Sequence, residues 1–452
     1  MSDSGVDRVR LGELLAGELA RFADEHPRSR ELHERSERFL FGGVPMPWMR
    51  LWAGAFPVYG ASASGARITD VDGHAYVDLC LGDTGAMTGH SPAPVREAVA
   101  RQLATGGITT MLPSEDAAWV GEELGRRFGP EQWMFTLTAT DANRAALRLA
   151  REVTGRGLVL VFSYCYHGSV DEAFAVGERG VTRSRAGNVG AAVDPAMTTR
   201  AIEWNDVDAL AATLEPRDVA CVLAEPAMTN MGIVLPDPGY HDELRRLTRE
   251  TGTLLIIDET HTFSAGPGGC TAAWGLAPDM VTLGKAMGSG IPCGALGLRA
   301  DVGDRALASA EADYEDTGGI GGTLAGNVLS LAAVRATLGE VLTEEAFERT
   351  IPLAGRFADG VREVIDSHGL PWNVTQLGCR AEYRFEAERA RNGSAAHAAS
   401  DPELERFMHL YALNRGVLLT PFHNMALISP ETTPEDVDRH SEVFAAAVGE
   451  LL

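Results

Sequence analysis

What this sequence has least of is lysine. Among its 39 cationic side chains, Lys285 is the single lysine and every other one is arginine. Surface charge, ion pairing and helix-dipole complementation are all served by a guanidinium. Losing a proton to become a nucleophilic amine is not, because arginine stays protonated while a desolvated lysine shifts readily. A lone lysine in an arginine-rich chain is therefore a candidate for covalent chemistry, above all a Schiff base to a carbonyl. The competing explanation is that base composition removed the lysines and this one survived by chance. The residues around it weigh against chance.

Other absences narrow the class. Cys80, Cys165, Cys221, Cys270, Cys293 and Cys379 form no CxxC pair and no regular spacing. That excludes a zinc ribbon or disulfide framework and leaves reduced, partly buried thiols; no metal is expected. The net charge is −24 with no basic stripe, so neither nucleic acid nor an anionic membrane surface is an expected partner. No uninterrupted apolar window of ~18 residues exists to span a bilayer. Residues 1–10 carry acids and no apolar run, so no signal peptide is expected and the cytoplasm is the expected address. With 452 residues, 45% apolar and 23% charged, the chain reads as a globular protein large enough for two domains.

What is present begins with amphipathic helical spacing over residues 1–40, followed by a Gly-, Pro- and aromatic-rich loop over 41–60. Residues 65–74 read as a hairpin turning at Asp72-Gly73. From residue 92 onward helices alternate with a strand at 133–137 and short apolar runs at 158–162, 219–223, 254–257 and 280–283. Nearly continuous apolar runs of this kind suit strands buried on both faces of a parallel sheet. Asp141 is the expected cap of the helix after the strand at 133–137. Beyond a helix at 330–342, strands at 380–385 and 417–420 mix with helices in a smaller α+β domain. The polar stretch 389–400 reads as a loop. The expected division is a 1–85 arm and part of the small domain, an 86–330 large domain and a 331–452 small domain.

Ligands of open α/β sheets sit beyond the carboxyl ends of the strands. There the loops hold Thr138-Ala139-Thr140, Tyr166-His167, Glu225 to Asn230, Asp258 to His261, and Lys285. Pyridoxal phosphate requires a lysine for its aldehyde, an acid for its pyridine nitrogen, an anion site for its phosphate and groups to sandwich its ring. Lys285 and Asp258 supply the first two, with a loop cap as the bland alternative for Asp258. A helix N-terminus at Thr138-Ala139-Thr140 suits a phosphate dianion, and so does the glycine-rich turn Gly319-Ile320-Gly321-Gly322-Thr323, though either is also an ordinary turn. Tyr166 either stacks on a ring or is structural.

At these motifs the chain resembles the class III, fold-type I pyridoxal phosphate aminotransferases, and is most similar to their glutamate-1-semialdehyde aminomutase-like branch. The family's phosphate turn stands as Thr138-Ala139-Thr140-Asp141-Ala142, its ring-stacking Tyr-His-Gly as Tyr166-His167-Gly168, and its Glu-Pro…Asn-Met-Gly as Glu225-Pro226 through Asn230-Met231-Gly232. Its Asp-Glu-Val is Asp258-Glu259-Thr260, its Thr-Leu-Gly-Lys ends at Lys285, and its Gly-Thr-Leu-Ser-Gly-Asn is Gly322 to Asn327. The resemblance implies an α/β fold with a mostly parallel central sheet flanked by helices, a smaller α+β domain, and Lys285 as the catalytic Schiff-base lysine. It implies cofactor contacts from Thr138, Ala139, Thr140, Tyr166, Glu225, Asn230, Asp258, Thr260, His261 and Thr323. The threonine reaches a neighbouring subunit's phosphate in the family, which implies a homodimer with shared sites.

Departures bear on the substrate. Trp48-Met49-Arg50 aligns with the element whose arginine holds the substrate carboxylate, so Arg50, Trp48 and Phe422 are the expected substrate residues. His261 stands where the pattern usually has an apolar residue, and Phe422-His423-Asn424 replaces the region of the aminomutase's C-terminal glutamate. Arg380 and Arg384 are either second carboxylate clamps or solvated surface arginines. The expected reaction is amine transfer between a carboxylate-bearing α-, β- or ω-amine and a keto acid or aldehyde. The alternative is intramolecular 2,1-aminomutation, and a third possibility is a silent scaffold homologue that binds no cofactor.

Overall fold

A computed structural model of the protein describes residues 4–308 and 320–452. The chain forms two compact units, one from residues 93–344 and 390–398, the other from residues up to 92 together with 345–389 and 399–452.

The first unit is organised by a seven-stranded sheet: β1 (Gln132–Thr136), β2 (Leu158–Phe162), β3 (Thr199–Ile202), β4 (Val219–Ala224), β5 (Leu254–Asp258), β6 (Met280–Leu283) and β7 (Gly294–Leu298). Their spatial order is β1-β7-β6-β5-β4-β2-β3. Neighbours from β6 through β3 run parallel, and β7 alone is antiparallel to both of its partners. The apolar runs form the centre because both faces are covered: every residue of β4, β5 and β6 is buried. Continuous hydrocarbon here is what burial on two sides demands.

Helix Ala139–Thr154 follows β1 and turns Ala142, Ala145, Ala146 and Ala150 inward. Small side chains let its axis approach the sheet closely. Its N-cap is Thr138, not Asp141 as expected: the Thr138 hydroxyl accepts from the Asp141 N–H at 3.2 Å and donates to the Asp141 carboxylate at 2.9 Å. Asp141 instead sits in the first turn, where its charge suits the helix dipole.

The second unit holds an antiparallel three-stranded sheet (Asn373–Leu377, Arg380–Arg384, Met425–Leu427). Its four-stranded sheet contains the expected hairpin, with Gly73 in the turn at φ +96°. Arg380 is not a solvated surface arginine: it is fully buried, 3.7 Å from the carboxylate of Glu382, which also meets His423 at 3.1 Å. The stretch at 389–400, of which 390–398 belong to the first unit, is more ordered than a loop, carrying a helix at Gly393–Ala398. Asn392 opens it by accepting from the Ala395 N–H at 2.8 Å. All six cysteines are buried free thiols.

Candidate active site

In register, Asp258 at the end of β5 lies opposite Thr282 of β6, and Ile257 opposite Ala224 of β4. The residues that follow, Lys285 on one side and Glu225 on the other, therefore leave the sheet at the same edge as Asp258. This places the expected acid between the expected lysine and the Glu-Pro loop.

Asp258 is buried, yet held as a carboxylate. One oxygen accepts from the Asn143 amide at 2.8 Å and contacts His167 Nδ1 at 2.9 Å; the other accepts from the Thr260 N–H at 3.0 Å. Burial pushes its pKa up, but the hydrogen bond and charge of His167 outweigh it and hold the group down at about 2. Burial opposes the charge on His167, and Cys165 and Asp258 overcome it, so the imidazole titrates well above its usual range. Asn143 is a further strut, donating to the His167 carbonyl at 3.1 Å and accepting from the Thr282 hydroxyl at 2.7 Å. The sequence reading missed both supports. A clue was present in Asn143, a lone amide among the alanines of a buried helix face.

Lys285 has φ +47°, a left-handed backbone rare for a side chain of its size, and its Nζ lies 2.8 Å from His261 Nε2. Gly284 just before it has no room for a Cβ, which would stand 2.8 Å from Ala139 Cβ and 3.0 Å from the Ala139 nitrogen. A Cβ on Gly168 would fall 2.0 Å from the Thr140 hydroxyl. These two glycines seat the helix N-terminus at Ala139 and Thr140 against the lysine turn and the Tyr166-His167 loop. The structure thus brings Ala139, Thr140, His167, Asp258, Thr260, His261 and Lys285 together.

The other expected residues occupy flanking loops. Glu225 is buried and accepts from the Thr229 N–H at 3.1 Å as well as from the Thr229 hydroxyl. Asn230 donates to the Tyr164 carbonyl at 3.0 Å, tying this loop to the one bearing Tyr166. Thr138 and Thr323 are exposed, Thr323 in the turn before helix Val328–Ala336. Gly319 lies outside the described residues. In the second unit, Trp48 and Phe422 meet edge-on with ring centroids 5.5 Å apart. Arg50 is exposed and lines a cavity of about 350 Å³ with His33, Glu37, Gly42 and Phe56.

Residues 50–447 match the family described as Aminotransferase class-III. The chain belongs to the class-III aminotransferase family. It is 33% identical over 444 residues to glutamate-1-semialdehyde 2,1-aminomutase of Chloroflexus aggregans, covering 95% of this chain and 99% of that one. A lysine-to-alanine variant of a glutamate-1-semialdehyde aminomutase from Pseudomonas aeruginosa PAO1, solved in complex with PMP, is 48% identical with a TM-score of 0.96, over 99% of this chain and 100% of that one. An omega-transaminase from Sphaerobacter thermophilus is 28% identical with a TM-score of 0.85, over 94% of this chain and 98% of that one. The fold is accordingly that of the fold-type I pyridoxal phosphate transferases, and the class-III chain is a pyridoxal phosphate enzyme.

The residues present fit that cofactor. Asp258 is ionised inside the protein, and beside it the buried Thr260 hydroxyl has no hydrogen-bond partner among the described residues. An orphaned buried hydroxyl next to a held carboxylate suits a polar ring that brings its own partners. Metal ligation has weaker support. His26, Asp70 and His74 approach within 4.8 Å, but the ring nitrogens of His26 already meet the Phe22 carbonyl at 2.8 Å and the Tyr76 hydroxyl at 2.9 Å. Among the described residues, no helix is long and apolar enough to cross a membrane.

Proposed function

We propose that this enzyme is an aminotransferase moving an amino group between a carboxylate-bearing α-, β- or ω-amine and a keto acid or aldehyde. The observation that carries the reading is Asp258, kept ionised at the end of β5 by His167 and Asn143, beside the only lysine of the chain. Pyridoxal phosphate supplies an electron sink for the pair left when the C–H bond beside the substrate nitrogen breaks. Asp258 would hold the pyridine nitrogen protonated, and Ala139 and Thr140 at the helix N-terminus would receive the phosphate. Tyr166, Glu225, Asn230, Thr260 and His261 would line the ring. Lys285 Nζ would bond the aldehyde and, once displaced by substrate, take the proton from the breaking C–H bond and return it. A positioned acid–base group of this kind contributes ~10²–10⁴-fold. Arg50, with Trp48 and Phe422, would orient the substrate carboxylate.

Two further elements belong to the reading. A homodimer, with Thr323 serving the neighbouring subunit's phosphate site, is supported by the exposed apolar side chains of Leu103, Ile108, Met111 and Leu112. The cytoplasm is the proposed location.

The relatives favour a second reading, intramolecular 2,1-aminomutation of glutamate-1-semialdehyde. The test is a panel of α-, β- and ω-amino acids offered with and without a keto acid, alongside glutamate-1-semialdehyde alone. Turnover that depends on the separate acceptor supports the aminotransferase. Efficient isomerisation of the semialdehyde with no acceptor overturns it in favour of the aminomutase.

A further inference from the structure

Lysine in its ammonium form cannot attack a carbonyl, because its lone pair is committed to the third N–H bond. Two of the charged groups at this edge of the sheet are poor places to put that proton. Asp258 already accepts from Asn143, His167 and the Thr260 N–H, and is held so firmly ionised that it is a poor base. His167 turns Nδ1 to that carboxylate and carries the proton of the pair. His261 is in contact with the amine, its Nε2 2.8 Å from Lys285 Nζ. An ammonium only donates, so opposite it Nε2 is the bare ring nitrogen and Nδ1 bears the ring hydrogen. The left-handed backbone at Lys285, φ +47°, is strain of the kind retained where geometry serves chemistry.

We propose that His261 is the proton acceptor that makes Lys285 a nucleophile. One Nζ–H bond breaks and leaves its electron pair on Nζ, an Nε2–H bond forms, and the positive charge passes from the ammonium to the imidazole. The freed pair attacks the aldehyde carbon as the C=O electrons move onto oxygen. The oxygen leaves as water with the second Nζ proton and the proton held by the imidazolium, and His261 is returned to its neutral form. Nothing is oxidised or reduced. His261 is half-buried. The proposal gives His261 a role different from lining the ring, and it rests on the reading of Lys285 as the aldehyde-bonding amine.

The test follows uptake of pyridoxal phosphate by cofactor-free full-length protein, read in stopped flow as the rise of the bound cofactor's visible absorbance. His261→Gln keeps a hydrogen-bond acceptor but cannot hold a proton; His261→Ala keeps neither. Both are expected to slow uptake at neutral pH on the order of 10²-fold. Added imidazole is expected to restore the rate of His261→Ala while leaving wild type unchanged, which a merely structural role would not produce. Wild-type rates in His261→Gln, or in both variants, would overturn the proposal. Lys285→Ala separates the two readings. If it develops the same band as wild type, the reading of Lys285 fails; if it stays blank while the His261 variants match wild type, only the role of His261 fails.

Discussion

Replacing His167 with alanine should damage this enzyme without touching a residue that bonds substrate. The imidazole is fully buried, and its Nδ1 stands 2.9 Å from Asp258. Its removal leaves a buried carboxylate with two neutral donors, Asn143 and the Thr260 N–H. Asp258 now sits at about 2 against an ordinary 3.8. At ~1.36 kcal/mol per pKa unit, that depression corresponds to roughly 2–3 kcal/mol. Breaking a buried pair from one side costs ~3–5 kcal/mol by direct precedent, so a loss of about 3 kcal/mol is expected at pH 7.

The pH dependence has a definite sign. A depressed carboxylate stabilises the fold above its unfolded pKa, near 3.8, and loses that contribution as pH falls towards about 2. The raised His167 works in the opposite sense. Its contribution is complete below its ordinary 6.5 and is lost as pH climbs through its folded value. The pair is therefore strongest between roughly pH 4 and 7, and there the variant should differ most from wild type. Scanning calorimetry of the cofactor-free proteins should show a fall in Tm on the order of 3–6 °C at pH 6–7, narrowing towards pH 3. A drop under about 1 °C, or one that does not change with pH, would refute the ion-pair account of Asp258.

Gly284→Ala would drive a methyl group to 2.8 Å from Ala139 Cβ and displace the helix N-terminus; cofactor affinity should fall at least about tenfold by equilibrium dialysis while far-ultraviolet circular dichroism stays native. Arg50→Ala should raise KM for carboxylate-bearing amines by about 10²-fold, as loss of a charge-assisted contact implies. It should spare amines lacking a carboxylate and leave cofactor affinity unchanged, and equal effects on both substrate classes would remove Arg50 from the substrate site.

The strand ends were legible because their signals are local. Four of the sheet's strands read as short, nearly continuous apolar runs, and Lys285 stands out in the sequence by being alone. Asp258 followed from its position at the end of such a run. What was not legible depends on contacts distant in the chain. Asn143 and His167 converge on Asp258 only after helix Ala139–Thr154 packs on the sheet, and nothing in either neighbourhood names the partner. Thr138 displaced Asp141 as cap because both are good caps three residues apart, and the geometry leaving β1 decides between them. Arg380 reads as a surface residue by type, yet it is buried 3.7 Å from Glu382, two residues along its own strand, whose carboxylate is shared with the distant His423. At 389–400, composition suggested a loop, whereas the close packing of Gly393 against the Ser163 carbonyl accompanies a helix.

Borohydride reduction of the holoenzyme, followed by denaturation and peptide mass spectrometry, tests the covalent assignment most directly, since a single ε-amine exists to be labelled. The account predicts one reduced pyridoxyl group per chain, carried entirely on the peptide containing Lys285. A pyridoxyl group on the terminal amine alone, or complete release of the cofactor after reduction, would contradict it.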